Sequence, residues 1–200
     1  MRNADDVLFE HLRRTNEDFA DLVGSVEPEQ WTAPTPCADW DVRALVSHLV
    51  QANVIYRMLL HGGTSDEFLT IREQNSLGDD PAGLFRTAAE ECLAAFAEPG
   101  ALDGEVDYPF GPADGRKLLG LLIADTVVHT WDLARATGEP EDLAPQLVEW
   151  IDDNFEHLYT GVTEGPLDRN RTYEHFAAPA QPPTAETRQH RVLRRAGRRP

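Results

Sequence analysis

Two hundred residues, 41% of them hydrophobic and 26% charged, describe one globular domain over 1–200, long enough to bury a core without covalent staples. A formal net charge of −17 excludes a nucleic-acid binder, because such proteins need clustered positive charge to displace counterions from phosphates. The two cysteines, Cys37 and Cys92, are too few for a disulfide scaffold, and neither a signal-peptide core nor a bilayer-length apolar run is present, so we expect a cytoplasmic protein with reduced thiols and no membrane partner.

Leu8, Leu12, Phe19 and Leu22 recur at helical spacing and predict an amphipathic first helix over 5–23, ended by Gly24. Pro28, Pro34 and Pro36 keep the next segment extended or turned. Asp39 or Asp41 can cap a second helix, carried by Val42, Leu45, Val46, Leu49, Ile55, Met58 and Leu59 to His61-Gly62-Gly63. Asp80-Pro81 starts a third helix with Leu84, Phe85, Ala88, Cys92, Leu93 and Phe96 beneath it. The segment 106–115 is turn-rich, an ordered loop or short hairpin. A fourth long helix follows, with Leu118, Leu121, Leu122, Asp125, Val128, His129 and Leu133 on one face and Gly138 as its stop. Pro145 opens a fifth, with Leu147, Trp150, Ile151, Phe155 and Leu158 facing inwards. Beyond Gly165 the chain is polar and proline-rich, and 176–183 reads as a lid or a linker before a short amphipathic piece near Val192 and Leu193. Four long helices without βαβ alternation mean an all-α bundle with additional short helices and a partly irregular, basic tail over 166–200. Six arginines lie between Arg188 and Pro200, and subtracting them from the total leaves −23 on residues 1–187. That asymmetry invites the tail to fold back on the body or a neighbouring subunit, the alternative being a solvated, frayed end.

Two stretches put polar groups where an apolar pattern least tolerates them. His48 falls between Leu45 and Leu49, and Asp125 and His129 stack a turn apart on the fourth helix. An unpaired buried carboxylate costs several kcal/mol unless a cation compensates it. Two imidazoles and a carboxylate supply three ligands for a divalent metal and leave a position open, as in catalytic sites. Against this, a single histidine on an apolar face is ordinarily a satisfied core residue, and an Asp four residues before a His can simply orient it. Cys37, just ahead of a helix N-terminus, reads as a packing cysteine rather than a reactive thiol. Trp40 and Trp131 read as wedges, Tyr56 as within reach of a polar ligand, Arg57 as solvated, and Asp132 as a hydrogen-bond partner for His129. His11, His61, His157, His175 and His190 read as surface residues.

The segment Thr35-Pro36-Cys37-Ala38-Asp39-Trp40-Asp41-Val42-Arg43-Ala44-Leu45-Val46-Ser47-His48-Leu49 resembles the first signature of the actinobacterial metal-binding proteins related to mycothiol-dependent maleylpyruvate isomerase. The segment from Asp125 through His129, Trp131 and Asp132 to Gly138 is similar to the second, and the ending Val192 to Pro200 to that family's closing helix and Gly-Arg turn. The resemblance spans essentially the whole chain and implies the DinB-like four-helix bundle, with a metal held by His48, Asp125 and His129. Related mycothiol-dependent enzymes carry Glu where this chain has Asp125, so the shorter side chain needs a closer backbone or a water bridge. The isomerase itself has an additional C-terminal domain, so its specific activity does not carry over.

The expectation for function is a metal-dependent enzyme activating a small, mycothiol-like thiol for transfer, addition or isomerisation on a small electrophile. Zinc is the first candidate for the metal, with nickel or ferrous iron also suited to the ligands. Activation of water for hydrolysis, or a non-catalytic binding protein whose coordination a fourth protein ligand closes, are the alternatives. A homodimer paired through a helix face is compatible with such a bundle.

Overall fold

The computed structural model describes residues 4–38, 40–72, 77–160, 165–168, 171–173 and 186–200. Four long helices, α1 (Ala4–Gly24), α2 (Val42–Leu60), α4 (Pro81–Phe96) and α5 (Gly115–Thr137), form the bundle. Helix α2 packs between α4 and α5, and α1 closes the ring against the same two. The shorter α3 (Ser65–Arg72) leans on α2, while α6 (Pro145–Tyr159) lies on α5 and α7 (Arg188–Arg195) on α6. The strands β1 (Glu105–Val106) and β2 (Ala113–Asp114) pair antiparallel, so the turn-rich segment is a hairpin. Two further strands, β3 (Gly165–Asp168) and β4 (Arg171–Tyr173), also pair antiparallel, in a stretch read from sequence only as polar. The segment 176–183, expected as a lid or linker, and Asp39 lie outside the described residues. No helix among the described residues is long and apolar enough to cross a membrane.

Local chemistry sets the helix ends. Asp41 caps α2, its Oδ1 accepting the Ala44 N–H at 2.8 Å. Asp80 and Asp114 cap α4 and α5 in the same way, and Gly138, with φ of 78°, ends α5 in the left-handed conformation. Helix α3 escaped the sequence reading because it has one buried anchor, Phe68, although Thr64 and Glu67 close a capping box around its first turn. Leu84, expected beneath α4, is instead 38% exposed, the core face being made by Phe85, Ala88, Ala89, Cys92, Ala95 and Phe96.

Helix α5 corrects the one-face reading more deeply. Sixteen of its 23 residues are buried, so it is covered nearly all round by α1, α2 and α6. A buried charged residue on it therefore needs a partner inside the protein.

Candidate metal centre

His48 on α2 and Asp125 and His129 on α5 meet across the α2–α5 interface. His48 Nε2 lies 3.0 Å from Asp125 Oδ2, and His129 Nε2 lies 3.4 Å from Asp125 Oδ1. The two imidazoles stand edge to face, 5.1 Å between centroids, and one donor atom from each of the three residues lies within 4.8 Å of the other two. The shorter Asp125 side chain thus reaches both histidines directly. Exposure is graded across the group: His129 is 6% exposed, His48 18% and Asp125 31%. The more open side faces a cavity of about 340 Å³, which all three residues line.

Charge and burial oppose one another here. Burial lowers the His48 pKa more than Asp125 restores it, so this imidazole is held neutral, the form with a lone pair to donate. Burial also disfavours the Asp125 carboxylate, but the two imidazoles outweigh it and hold its pKa well below the usual carboxylate range. For His129 burial is again outweighed, by Asp125 and by hydrogen bonds to Asp132 and Cys37, and its pKa rises well above the ordinary value. The donor set fits a divalent cation: a fixed anion and two imidazoles converge, and the proton that His129 holds is the charge an ion would replace.

Behind His129 stands a second layer. Its Nδ1 lies 2.9 Å from Asp132 Oδ2, the partnership expected from sequence. Asp132 is completely buried, and Arg198 forks onto it, with Nε 3.1 Å from Oδ1 and Nη2 2.7 Å from Oδ2. Cys37 Sγ lies 3.3 Å from Asp132 Oδ2 and 3.1 Å from Arg198 Nη2. The Thr35–Trp40 loop carries it there: Thr35 N–H donates to Trp40 O, and Thr35 Oγ1 accepts from Cys37 N–H. Cys37, Asp132 and His129 Nδ1 also cluster within 4.8 Å, but the guanidinium already supplies the cation there.

Cys37 was expected to pack in the core and instead forms part of the cavity wall. Arg198 was missed as a site residue; the Gly-Arg turn in the ending was its only signal in the sequence. Trp40 packs on both imidazoles, with centroids 4.8 Å from His48 and 5.6 Å from His129, while Trp131 is a core wedge 1% exposed. Tyr56 lines the cavity, whereas Arg57 points away and pairs with Glu91. His61, His157 and His190 are exposed as expected, His11 is half-buried against Trp150, and His175 lies outside the described residues.

Residues 12–134, a stretch that includes His48, Asp125 and His129, match the family model of the mycothiol maleylpyruvate isomerase N-terminal domain. The chain belongs to that family. Among curated proteins, an uncharacterized protein found in two strains of Mycobacterium tuberculosis is 33% identical over 147 residues, covering 71% of this chain and 73% of the relative. Among solved structures, mycothiol-dependent maleylpyruvate isomerase superposes with a TM-score of 0.59 at 13% identity, over 74% of this chain and 67% of that one. A histidine-to-alanine mutant of the isomerase gives 0.58 at 12% identity. At such identities the likeness speaks for the family's helical fold.

Proposed function

We propose that this protein is an enzyme that binds a divalent metal through His48, Asp125 and His129 and activates a small thiol of the mycothiol type. The activated thiol would then act on a small electrophile by transfer, addition or isomerisation. The single observation that carries this reading is the convergence of three donors on one side of an open cavity. A divalent ion in such a set lowers the pKa of a coordinated thiol and presents it as a thiolate near neutral pH. Zinc is the first candidate, with nickel and ferrous iron compatible with the same donors.

The chain's own residues prepare this chemistry. Asp125 supplies the negative charge between the two imidazoles, and the half-buried, neutral His48 is ready to donate. Asp132 holds the Nδ1 side of His129, which leaves Nε2 facing Asp125 and the cavity. Trp40 covers the two imidazoles and limits water on that side. Farther along, Tyr56, Phe68, Tyr108 and Phe110 give the cavity an apolar wall, while Gln51 and Arg72 add polar groups to the lining. This combination suits an organic electrophile brought beside a polar thiol.

The non-catalytic alternative calls for a fourth protein ligand closing the shell. Among the described residues the nearest further thiol, Cys37, lies on the Nδ1 side of His129 in contact with Arg198, away from the Nε2 side. That placement favours an open position. Elemental mass spectrometry of purified wild type and His48→Ala, followed by assays with and without added mycothiol, tests the proposal. We expect close to one equivalent of metal, lost in the variant together with thiol-dependent turnover. Undiminished turnover after complete metal removal would end the metal-activation reading, and turnover indifferent to the thiol would move the assignment to hydrolysis.

A further inference from the structure

We infer that Arg198 is a positioning residue for His129, acting through Asp132, and that docking of α7 with its following turn completes the metal centre. The inference deepens the metal-activation proposal and rests on it.

Asp132 has no solvent exposure and, among the described residues, is supported by the side chains of His129, Arg198 and Cys37. Once a bound metal takes the proton of His129, a neutral imidazole and a thiol are weak compensation for a buried carboxylate, and Arg198 is then the group that keeps it ionised in place. The guanidinium does so directionally. Its Nε and Nη2 engage the two carboxylate oxygens at 3.1 and 2.7 Å, which fixes the carboxylate plane and aims Oδ2 at His129 Nδ1, 2.9 Å away. With Nδ1–H donating to Asp132, the lone pair of a neutral His129 sits on Nε2, the atom 3.4 Å from Asp125 Oδ1. The same Nη2 touches Cys37 Sγ at 3.1 Å, so one side chain joins the Thr35–Trp40 loop to α5 behind the donors.

The chain is built to deliver Arg198 to this point. Gly197 N–H donates to Arg194 O and Arg198 N–H to Leu193 O, the paired bonds of a Schellman turn, and Gly197 adopts φ of 77°. A residue with a Cβ is disfavoured at that angle, so the glycine lets the chain reverse and send Arg198 back towards α5. A further bond from Arg198 Nη1 to Ala196 O, at 2.6 Å, braces the guanidinium against the turn. Val192, Leu193 and Ala196, all fully buried, anchor the helix from which the turn springs. The sequence separation between Arg198 and the donors explains why spacing alone does not reveal the link.

The test titrates metal-free protein with zinc against a competing chelator, comparing wild type, Arg198→Ala, Arg198→Lys and Arg195→Ala. The His129 imidazole resonances of the metal-free proteins are followed by NMR alongside. Arg195 is the control because it sits on the same helix but pairs with Glu156 and stacks on Phe155, without a contact at the centre. We expect Arg198→Ala to weaken zinc binding about 10- to 100-fold, the usual effect of losing an outer partner of a metal-bound histidine, and to shift the His129 resonances. Arg198→Lys should recover part of the affinity, since an ammonium restores charge without the fork, and it decides the matter if Arg198→Ala does not fold. Arg195→Ala should stay within about threefold of wild type. An equal loss in Arg195→Ala would assign the whole effect to docking of α7 and overturn the positioning role of Arg198. Unchanged affinity and unchanged His129 resonances in Arg198→Ala would overturn it as well. A wild type that binds no metal would count against the metal proposal alone, and the His129 resonances of metal-free protein would still decide whether Arg198 sets that ring.

Discussion

Replacing Asp132 by Asn keeps the size of the side chain and removes its charge at a fully buried position. Burial by itself raises the pKa of this carboxyl, yet hydrogen bonds from His129 and Arg198 reverse the effect and bring it from 3.8 to about 2. A shift of nearly two units corresponds to about 2 kcal/mol of preference for the ionised form in the folded chain. Asn also takes from Arg198, whose side chain is 9% exposed, the carboxylate onto which it forks, and losing one partner of such a buried pair costs about 3–5 kcal/mol. At about 2–4 °C per kcal/mol for a chain of this size, the metal-free variant should melt about 6–20 °C below wild type near neutral pH. Because the folded-state pKa is depressed, this stabilisation is complete above the unfolded value of 3.8 and is lost as pH falls through about 2. Urea unfolding of both proteins across pH should therefore show a gap that narrows between about pH 4 and 2. A melting difference below about 2 °C at neutral pH, or a gap that stays constant down to about pH 2, would refute the reasoning.

Two more outcomes follow from the same geometry. With His129 as a proposed ligand, zinc would have to displace the proton held by that imidazole, whose pKa is raised, so below that pKa the apparent affinity should drop about tenfold per pH unit and calorimetry in buffers of different ionisation enthalpy should register proton release; a flat profile would show that His129 is not a ligand. In the native protein a thiol reagent should modify one cysteine, Cys37 on the cavity wall, while Cys92, buried and with its pKa pushed up to about 12, reacts only after unfolding; two fast equivalents in a native titration would contradict the packing around α4.

Much of the bundle was legible because capping chemistry is local. Asp41, Asp80-Pro81, Gly138 and Pro145 each act within one turn of the helix end they mark, so their meaning survives without tertiary knowledge. Helix α3 was not legible because one anchor, Phe68, leaves no periodicity to count. Leu84 misled for the opposite reason, since it fits the apolar pattern of α4 and yet lies on the more open side of the helix. At the centre, the oddity of His48, Asp125 and His129 in apolar surroundings was visible, and so was the pairing of Asp132 with His129 three residues away. Their convergence needed the relative placement of α2 and α5, which resemblance implied and spacing could not. Cys37 and Arg198 were out of reach because their contacts span 95 and 161 residues and depend on a loop and a turn with no periodic signal.

The way α7 is fastened gives dissolved salt a second route to the centre, through the helix that carries Arg198. Arg188 pairs with Glu149 and Asp153, Arg191 with Asp152, and Arg195 with Glu156, all across the seam with α6. Each such pair contributes about 0.2–1 kcal/mol and weakens as the screening length falls from about 10 Å towards 3 Å in concentrated electrolyte. The buried Val192 and Leu193, each contributing about 1.5–3 kcal/mol, change little under the same conditions. Concentrated electrolyte should therefore loosen the seam without melting the bundle, raising the fraction of molecules in which Arg198 has let go of Asp132. The proposed metal centre would then lose its ion more readily as ionic strength rises, through a helix that supplies none of the three proposed ligands.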